Sequence, residues 1–101
     1  ALAMLGDKLS AETAAEWGLI WKCVDGDQVM IEAQALASHL ATQPTKALAL
    51  IRRALDASFD NSLDDQLDLE RDLQIVATRT DDFREGVEAF LEKRPAKFKG
   101  Q

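Results

Sequence analysis

The stretch LDDQLDLERDLQIVA, residues 63–77, decides the fold class of this chain. Asn61 or Ser62 can cap a helix beginning at Leu63, because a short polar side chain before an apolar run is typical of a helix N-terminus. The apolar residues recur at helical spacing but spread over more than one stripe, and such a helix is usually covered on more than one side. We therefore predict an all-α segment whose central helix packs against its neighbours and against protein outside these 101 residues.

The residues after this stretch predict one more helix and a basic tail. Thr80 can cap the helix, and two acids, Asp81 and Asp82, fall in its first turn, where the helix dipole favours negative charge. Pro95 is predicted to end it, because proline cannot continue the backbone hydrogen bonding. The predicted apolar face consists of Phe83, Val87, Phe90 and Leu91.

Upstream, three further helices are predicted. Ser10 can cap a short helix over residues 11–17, closed by Gly18. Apolar residues at helical spacing predict a second helix that ends near Ala41. Pro44 interrupts the pattern, and Thr45 is predicted to cap the helix that follows.

Residues 19–24, LIWKCV, form a short apolar run before the Asp25-Gly26 turn signal, and read as an extended segment or a short strand. The whole pattern predicts an open bundle of about five helices with a short extended segment near the start.

Composition excludes several classes of protein. The chain is 47% hydrophobic and 30% charged, with a net charge of −6, which argues against nonspecific nucleic-acid binding. No apolar run approaches the roughly 20 residues that span a bilayer. The single cysteine, Cys23, cannot form an internal disulfide, which favours a reducing cytoplasm. ALAMLG at residues 1–6 reads as a helix end without a cap or an initiator Met, so we expect a fragment of a longer protein.

Three sets of motifs resemble the C-terminal part of the crotonase (enoyl-CoA hydratase/isomerase) superfamily, and together they cover essentially the whole chain. Three other stretches resemble the subfamily of ring-epoxide isomerases of phenylacetate degradation, which convert ring-1,2-epoxyphenylacetyl-CoA to oxepin-CoA. The superfamily motifs are LSAE (9–12) with EWGLI (16–20), LERDL (69–73) with TDD (80–82) and EG (85–86), and AFLEKRP (89–95) with Phe98 and Gly100; the subfamily stretches are WGLIW (17–21), LATQPT (40–45) and QLDLERD (66–72).

The resemblance implies a coenzyme A thioester as the substrate of the parent enzyme. In the superfamily, an oxyanion hole and carboxylates in an N-terminal domain of ββα units carry the reaction. No residue of residues 1–101 matches those positions, so the resemblance implies that the N-terminal catalytic domain is absent and that the chain alone is inactive, with no catalytic residue and no bound cofactor. The chain would then be the C-terminal helical domain that builds a trimer, or a dimer of trimers, and caps the CoA site.

Phe90 and Lys93 match superfamily positions that contact the adenine end of coenzyme A, often from a neighbouring subunit. Spaced three apart on a predicted helix, they would lie on one side, with an aromatic face for the base and an ammonium near the phosphates. The alternative is that Phe90 is core and Lys93 is solvated. The basic residues Lys93, Arg94, Lys97 and Lys99 would either attract the CoA phosphates or balance the helix dipole.

Three other residues favour structural roles. Glu70 falls within an apolar stripe, where we expect it to pair or to bond at an interface. His39 has no Cys, His or Asp partner at ligand spacing, so no metal site is predicted. Cys23 has no visible base, and a buried inert thiol is expected.

The sequence therefore predicts part of an acyl-CoA isomerase. One alternative is a fragment of an enoyl-CoA hydratase, and another is a non-catalytic helical module that only self-associates.

Overall fold

The computed structural model describes residues 2–101. Within this range the chain forms only helices, so the predicted all-α class is confirmed, and the short first helix brings the number to six. Contacts divide the chain into two compact units, one ending at Ala35 and the other spanning Leu36–Gln101. The helices are α1 (Leu2–Leu5), α2 (Ala11–Glu16), α3 (Val29–Ala41), α4 (Thr45–Ala57), α5 (Leu63–Thr78) and α6 (Asp81–Glu92).

In the first unit, the predicted start of α2 and its exit at Gly18 are confirmed, although the helix ends at Glu16, one residue earlier than predicted. The Ser10 hydroxyl accepts a hydrogen bond from the Thr13 amide at 3.2 Å and caps α2. Gly18 takes a left-handed conformation, with φ of 74°, directly after the C-cap residue Trp17. Only a residue without a Cβ adopts this conformation cheaply, so glycine is required for this helix exit.

The run at residues 19–24 does not form a strand; it consists of bends and irregular chain. The Leu19 amide donates to the Ala14 carbonyl at 2.9 Å, which ties the start of the run to the end of α2. Of the two alternatives that the sequence left open, the short strand is wrong, because no other strand exists within residues 2–101 to share a ladder. The run instead carries an ion pair of 2.9 Å from Lys22 to Glu32.

The predicted cap at Thr45 is wrong. Thr45 is the first residue of α4, and Pro44 occupies the N-cap position without a side-chain hydrogen bond. The hydroxyl therefore lies one position too late to accept from the free amides of the first turn. Pro44 fits this place because its fixed φ, here −68°, is compatible with a helix start.

Both later helices have the caps that the sequence predicts. Ser62, rather than Asn61, caps α5 by accepting from the Asp65 amide at 3.2 Å. Thr80 caps α6 by accepting from the Phe83 amide at 3.1 Å.

Proline does not end the last helix as predicted. The α6 helix stops at Glu92, and Lys93 follows in a left-handed conformation with φ of 54°. The helix therefore closes before the chain reaches Pro95, because a left-handed residue already breaks the helical path.

Few apolar side chains are buried in the second unit, where α4 packs on α5 and α5 packs on α6. Leu73 of α5 and Ala89 of α6 are its only buried apolar residues. Leu63 and Leu67 on α5 stay 75% and 56% exposed. The second apolar stripe of α5 is thus free of cover within residues 36–101, and its coverage by other protein stays a prediction.

Candidate functional site at the end of helix α6

The two residues predicted to contact coenzyme A lie at the C-terminal end of α6. Phe90 is in the last turn and its side chain is 82% exposed, so it is not a core residue. Lys93 is exposed but lies one position past the helix. The expectation that both residues share one side of a helix is therefore wrong, since the left-handed turn at Lys93 redirects its side chain.

An apolar groove of about 400 Å³ runs beside Phe90, between α6 and parts of α4 and α5. Its only polar lining residues are Thr80 and Asp82. Phe98 from the tail lies against Gly86, where a Cβ would stand 3.6 Å from the ring. That is an ordinary contact distance, and the ring forms one wall of the groove. The remaining lining residues are Pro44, Ala47, Ala77, Phe83, Val87 and Leu91.

Glu85 and Arg94 form a bidentate ion pair that joins α6 to the tail. The guanidinium Nη1 and Nη2 lie 2.6 Å and 3.0 Å from the two carboxylate oxygens, and Nε donates to Glu92 at 2.6 Å. Glu85 also accepts from the Lys97 amide at 2.7 Å. The Arg94 hydrogen bonds, followed by that amide, lower the pKa of Glu85 to about 2, and the same pairing raises the pKa of Arg94. Glu85 is therefore ionised at any physiological pH.

Asp82 fastens the end of the tail to the start of α6. Its side chain is buried, and its two oxygens accept from the amides of Lys99 and Gly100 at 2.6 Å and 2.7 Å. Its own amide donates to the Gln101 carbonyl at 3.0 Å. The tail thus runs back along α6 and is bound at two of the helix's acidic residues, Asp82 and Glu85.

The sequence did not predict this role of the acids. Asp82 was interpreted as a residue that balances the helix dipole, like its neighbour Asp81, whereas only Asp81 stays exposed and pairs with Arg84 at 2.5 Å. The spacing of Asp82 and Glu85, three apart on one helix face, was the available signal. Nothing in the pattern showed that their partners would be backbone amides of the tail.

The basic tail has a local explanation besides the attraction of phosphate. Lys97 and Lys99 line a polar groove of about 310 Å³ with the acids of α6, among them Asp81 and Glu88. Their positive charges thus lie beside negative ones. Of the four basic residues at this end, Lys93 is the one that lines neither groove and forms no ion pair within residues 2–101.

The other residues weighed from sequence lie apart from this site. Glu70 is exposed and accepts from the Gln66 amide group of its own helix at 2.8 Å, so the expected pairing or interface bond stays a prediction. His39 is exposed in the last turn of α3, and Cys23 is half-buried, less covered than expected. In the part of the chain that the structure describes, no group of His, Cys, Asp or Glu could hold a metal ion. No helix among residues 2–101 is long and apolar enough to cross a membrane.

A family model described as enoyl-CoA hydratase/isomerase matches residues 1–101, the full length of the sequence. The chain belongs to this family. The superfamily expected from the sequence motifs is therefore confirmed.

Two curated relatives show how much of a family member the chain represents. The 1,2-epoxyphenylacetyl-CoA isomerase of Escherichia coli (strain K12) is 56% identical over 100 residues, which cover 99% of this chain and 38% of the relative. A probable enoyl-CoA hydratase of Rhodobacter capsulatus is 44% identical, with coverage of 99% and 39%. The chain therefore spans less than half the length of the curated relatives it matches.

Solved structures of family members contain the same arrangement of helices. Enoyl-CoA hydratase subunit I of Geobacillus kaustophilus HTA426 matches with a TM-score of 0.93 and 35% identity, over 99% of this chain and 40% of that one. A putative enoyl-CoA hydratase of Streptomyces coelicolor A3(2) matches with a TM-score of 0.91 and 34% identity, over 97% and 36%. The helical segment is thus part of the fold of this family.

Proposed function

We propose that the chain is the C-terminal, subunit-assembling and CoA-capping segment of a coenzyme A thioester isomerase. The proposed substrate is ring-1,2-epoxyphenylacetyl-CoA, an intermediate of phenylacetate degradation in the cytoplasm. The 56% identity with the Escherichia coli isomerase carries this proposal. Because the chain matches 38% of that relative, the oxyanion hole and the catalytic carboxylates are assigned to an N-terminal domain outside these residues.

Within this segment, we assign contact with the nucleotide end of coenzyme A to Phe90 and Lys93. An aromatic ring that is 82% exposed offers its face to an adenine base. Lys93 supplies an exposed ammonium that no carboxylate of residues 2–101 neutralises, and the nucleotide phosphates are anionic. The two properties together fit a nucleotide better than they fit either a core residue or a solvated helix end.

The assembly role is supported by the apolar surface of α4 and α5. Ile51 and Leu55 on α4 and Leu63 and Leu67 on α5 are all more than half exposed. So many exposed apolar side chains on two packed helices indicate a protein interaction site. We assign it to a homo-oligomer, a trimer or a dimer of trimers.

The 44% identity with a probable enoyl-CoA hydratase favours hydration of a 2,3 double bond as the second candidate. The carboxylates upstream of this segment distinguish the two reactions. Two placed glutamates favour the addition of water, and a single aspartate favours isomerisation.

The test is an assay of the gene product that contains this sequence, with ring-1,2-epoxyphenylacetyl-CoA and with crotonyl-CoA. Formation of oxepin-CoA is expected, and hydration of crotonyl-CoA alone would establish the hydratase instead. A purified protein that assembles but binds no acetyl-CoA in calorimetry would support a self-association module and refute both enzymes.

A matched pair of phenylalanines tests the nucleotide contact. Phe90→Ala is expected to weaken acetyl-CoA binding about tenfold, because stacking on a base is worth about 1–3 kcal/mol. Phe59→Ala is the control, since Phe59 is 89% exposed at the turn after α4 and has no assigned contact with the nucleotide. Equal effects of the two changes would refute the assignment of Phe90.

A further inference from the structure

Lys93 has a backbone conformation that is unusual for its residue type. It is the only non-glycine residue with positive φ in the described part of the chain, at φ 54° and ψ 39°. A residue that follows a helix end and has a left-handed conformation is normally glycine, because a residue with a Cβ is strained there. Such a conformation persists only where surrounding bonds over-determine it, and it clusters at functional sites.

The bonds that hold Lys93 come from both of its sides. On the helix side, the amides of Lys93 and Arg94 both donate to carbonyls of the last turn. The Lys93 amide donates to Phe90 at 3.3 Å, and the Arg94 amide donates to Ala89 at 3.0 Å. After Lys93, the Arg94 guanidinium is fixed in a bidentate pair with Glu85. The residue that follows Lys93 is therefore bound through both its backbone and its side chain, which restricts the chain on the far side of the turn.

The same pair also removes the charge of Arg94 from those available to an anion, while Lys93 keeps its own. Arg94 is shared between Glu85 and Glu92, so its charge is neutralised. Lys93 has no carboxylate within ion-pair distance among residues 2–101. The charge of Arg94 is therefore paired within the chain, whereas the neighbouring Lys93 ammonium can bind an anion.

We propose that Glu85 and Arg94 are positioning residues for coenzyme A: their bidentate pair locks Lys93 in the left-handed conformation in which its ammonium meets the nucleotide phosphates. This inference rests on the proposed role of Lys93 in the CoA site. Neither Glu85 nor Arg94 touches the ligand in this arrangement. They act only through the conformation of Lys93.

The test is a double-mutant cycle on coenzyme A affinity, measured by calorimetry on the complete gene product containing this sequence. Lys93→Ala removes the ammonium and is expected to weaken binding about tenfold; Glu85→Gln removes one charge of the brace and is expected to weaken binding about fivefold. The double variant is expected to bind as Lys93→Ala does, because a brace has no effect once its ammonium is gone. Glu88→Gln changes an exposed acid three positions further along α6; it is the matched control and should bind as the unchanged protein does.

The outcomes separate this inference from the proposal on which it rests. Unchanged affinity in Lys93→Ala would refute the CoA role of Lys93 and, with it, the brace. Weakened affinity in Lys93→Ala with full affinity in Glu85→Gln would overturn only the brace. Additive effects of Glu85→Gln and Lys93→Ala on affinity would also overturn the brace. A merely structural role of Glu85 would lower the melting temperature without coupling to Lys93. If Glu85→Gln fails to fold, as judged by circular dichroism, Arg94→Gln takes its place in the same cycle.

Discussion

Two parts of the second unit, α6 with its tail and α4 with α5, differ in how their side chains find partners within the chain. At α6 and its tail, the polar groups bond to each other within the chain, as Asp82 and Glu85 do with the tail amides. Along α4 and α5, by contrast, apolar side chains such as Ile51 and Leu67 remain more than half exposed. The comparison teaches that the chain bonds the polar groups of its candidate site internally, whereas it leaves the apolar faces of α4 and α5 uncovered within residues 36–101.

The largest expected effect is on the apolar side. Leu67→Asp is expected to disrupt the oligomer of the gene product by about 4 kcal/mol for each interface, because an unpaired carboxylate would be buried there. Light scattering on a sizing column would detect the smaller species. Leu67→Met keeps the apolar volume and should leave assembly unchanged. Full assembly of the Leu67→Asp variant would place the interface elsewhere and weaken the contrast.

The next effect concerns the polar side. Asp82→Ala is expected to cost about 3 kcal/mol, because a buried carboxylate is lost with its two charge-assisted hydrogen bonds to amides of the tail. The hydrogen-exchange rates of the Lys99 and Gly100 amides should rise at least tenfold, because each step of about 1.4 kcal/mol corresponds to a factor of ten. Asp81→Ala is the control, since it removes only an exposed pair with Arg84 and should change stability by about 0.5 kcal/mol or less. Unchanged protection in Asp82→Ala would show that the tail is held by its apolar contacts.

A smaller effect of opposite sign is expected at Gly86. Gly86→Ala should stabilise the protein by about 0.5–1 kcal/mol, because alanine is the better helix former and its Cβ would meet Phe98 at an ordinary contact distance of 3.6 Å. Gly18→Ala should instead destabilise by about 1 kcal/mol, since Gly18 has φ of 74° although the space beside it is open. Thermal unfolding of both variants measures the pair. A destabilised Gly86→Ala would mean that the ring of Phe98 cannot yield even slightly.

The smallest expected effect is the dependence of stability on pH at Glu85. Its pKa is about 2 in the folded chain against an ordinary 4.5, so the unfolded chain takes up the proton first as the pH falls. The stabilisation is therefore complete above about pH 4.5 and is lost as the pH falls toward 2. The measurement is the difference in melting temperature between the unchanged protein and Glu85→Gln, which should narrow across this range. A constant difference would indicate that the ion pair with Arg94 does not survive in solution.

Much of the fold could be predicted because helix starts depend on neighbouring residues. Ser10, Ser62 and Thr80 cap their helices as expected, since each hydroxyl needs only an amide three residues away. The cap at Thr45 was predicted wrongly because proline at the preceding position competes for the same place. A strand, unlike a cap, needs a distant partner, and the run at residues 19–24 carries no sign of whether one exists.

The candidate site was less predictable for the same reason. Phe90 and Lys93 could be named through resemblance, but the ion pair beside the turn at Lys93 joins Arg94 to Glu85, nine residues earlier. Asp82 and Gly100 lie further apart still. Sequence spacing reports on neighbours within a helical turn and gives no signal for a tail that folds back along its own helix.

The contact between Gly86 and Phe98 has a consequence for how this segment can change over evolutionary time. A Cβ at residue 86 would already lie in contact with the ring at 3.6 Å, so a side chain bulkier than alanine is expected to displace it. The displaced ring would take one wall of the apolar groove with it. Residues 86 and 98 are therefore expected to co-vary among homologues, with bulk gained at one position matched by bulk lost at the other.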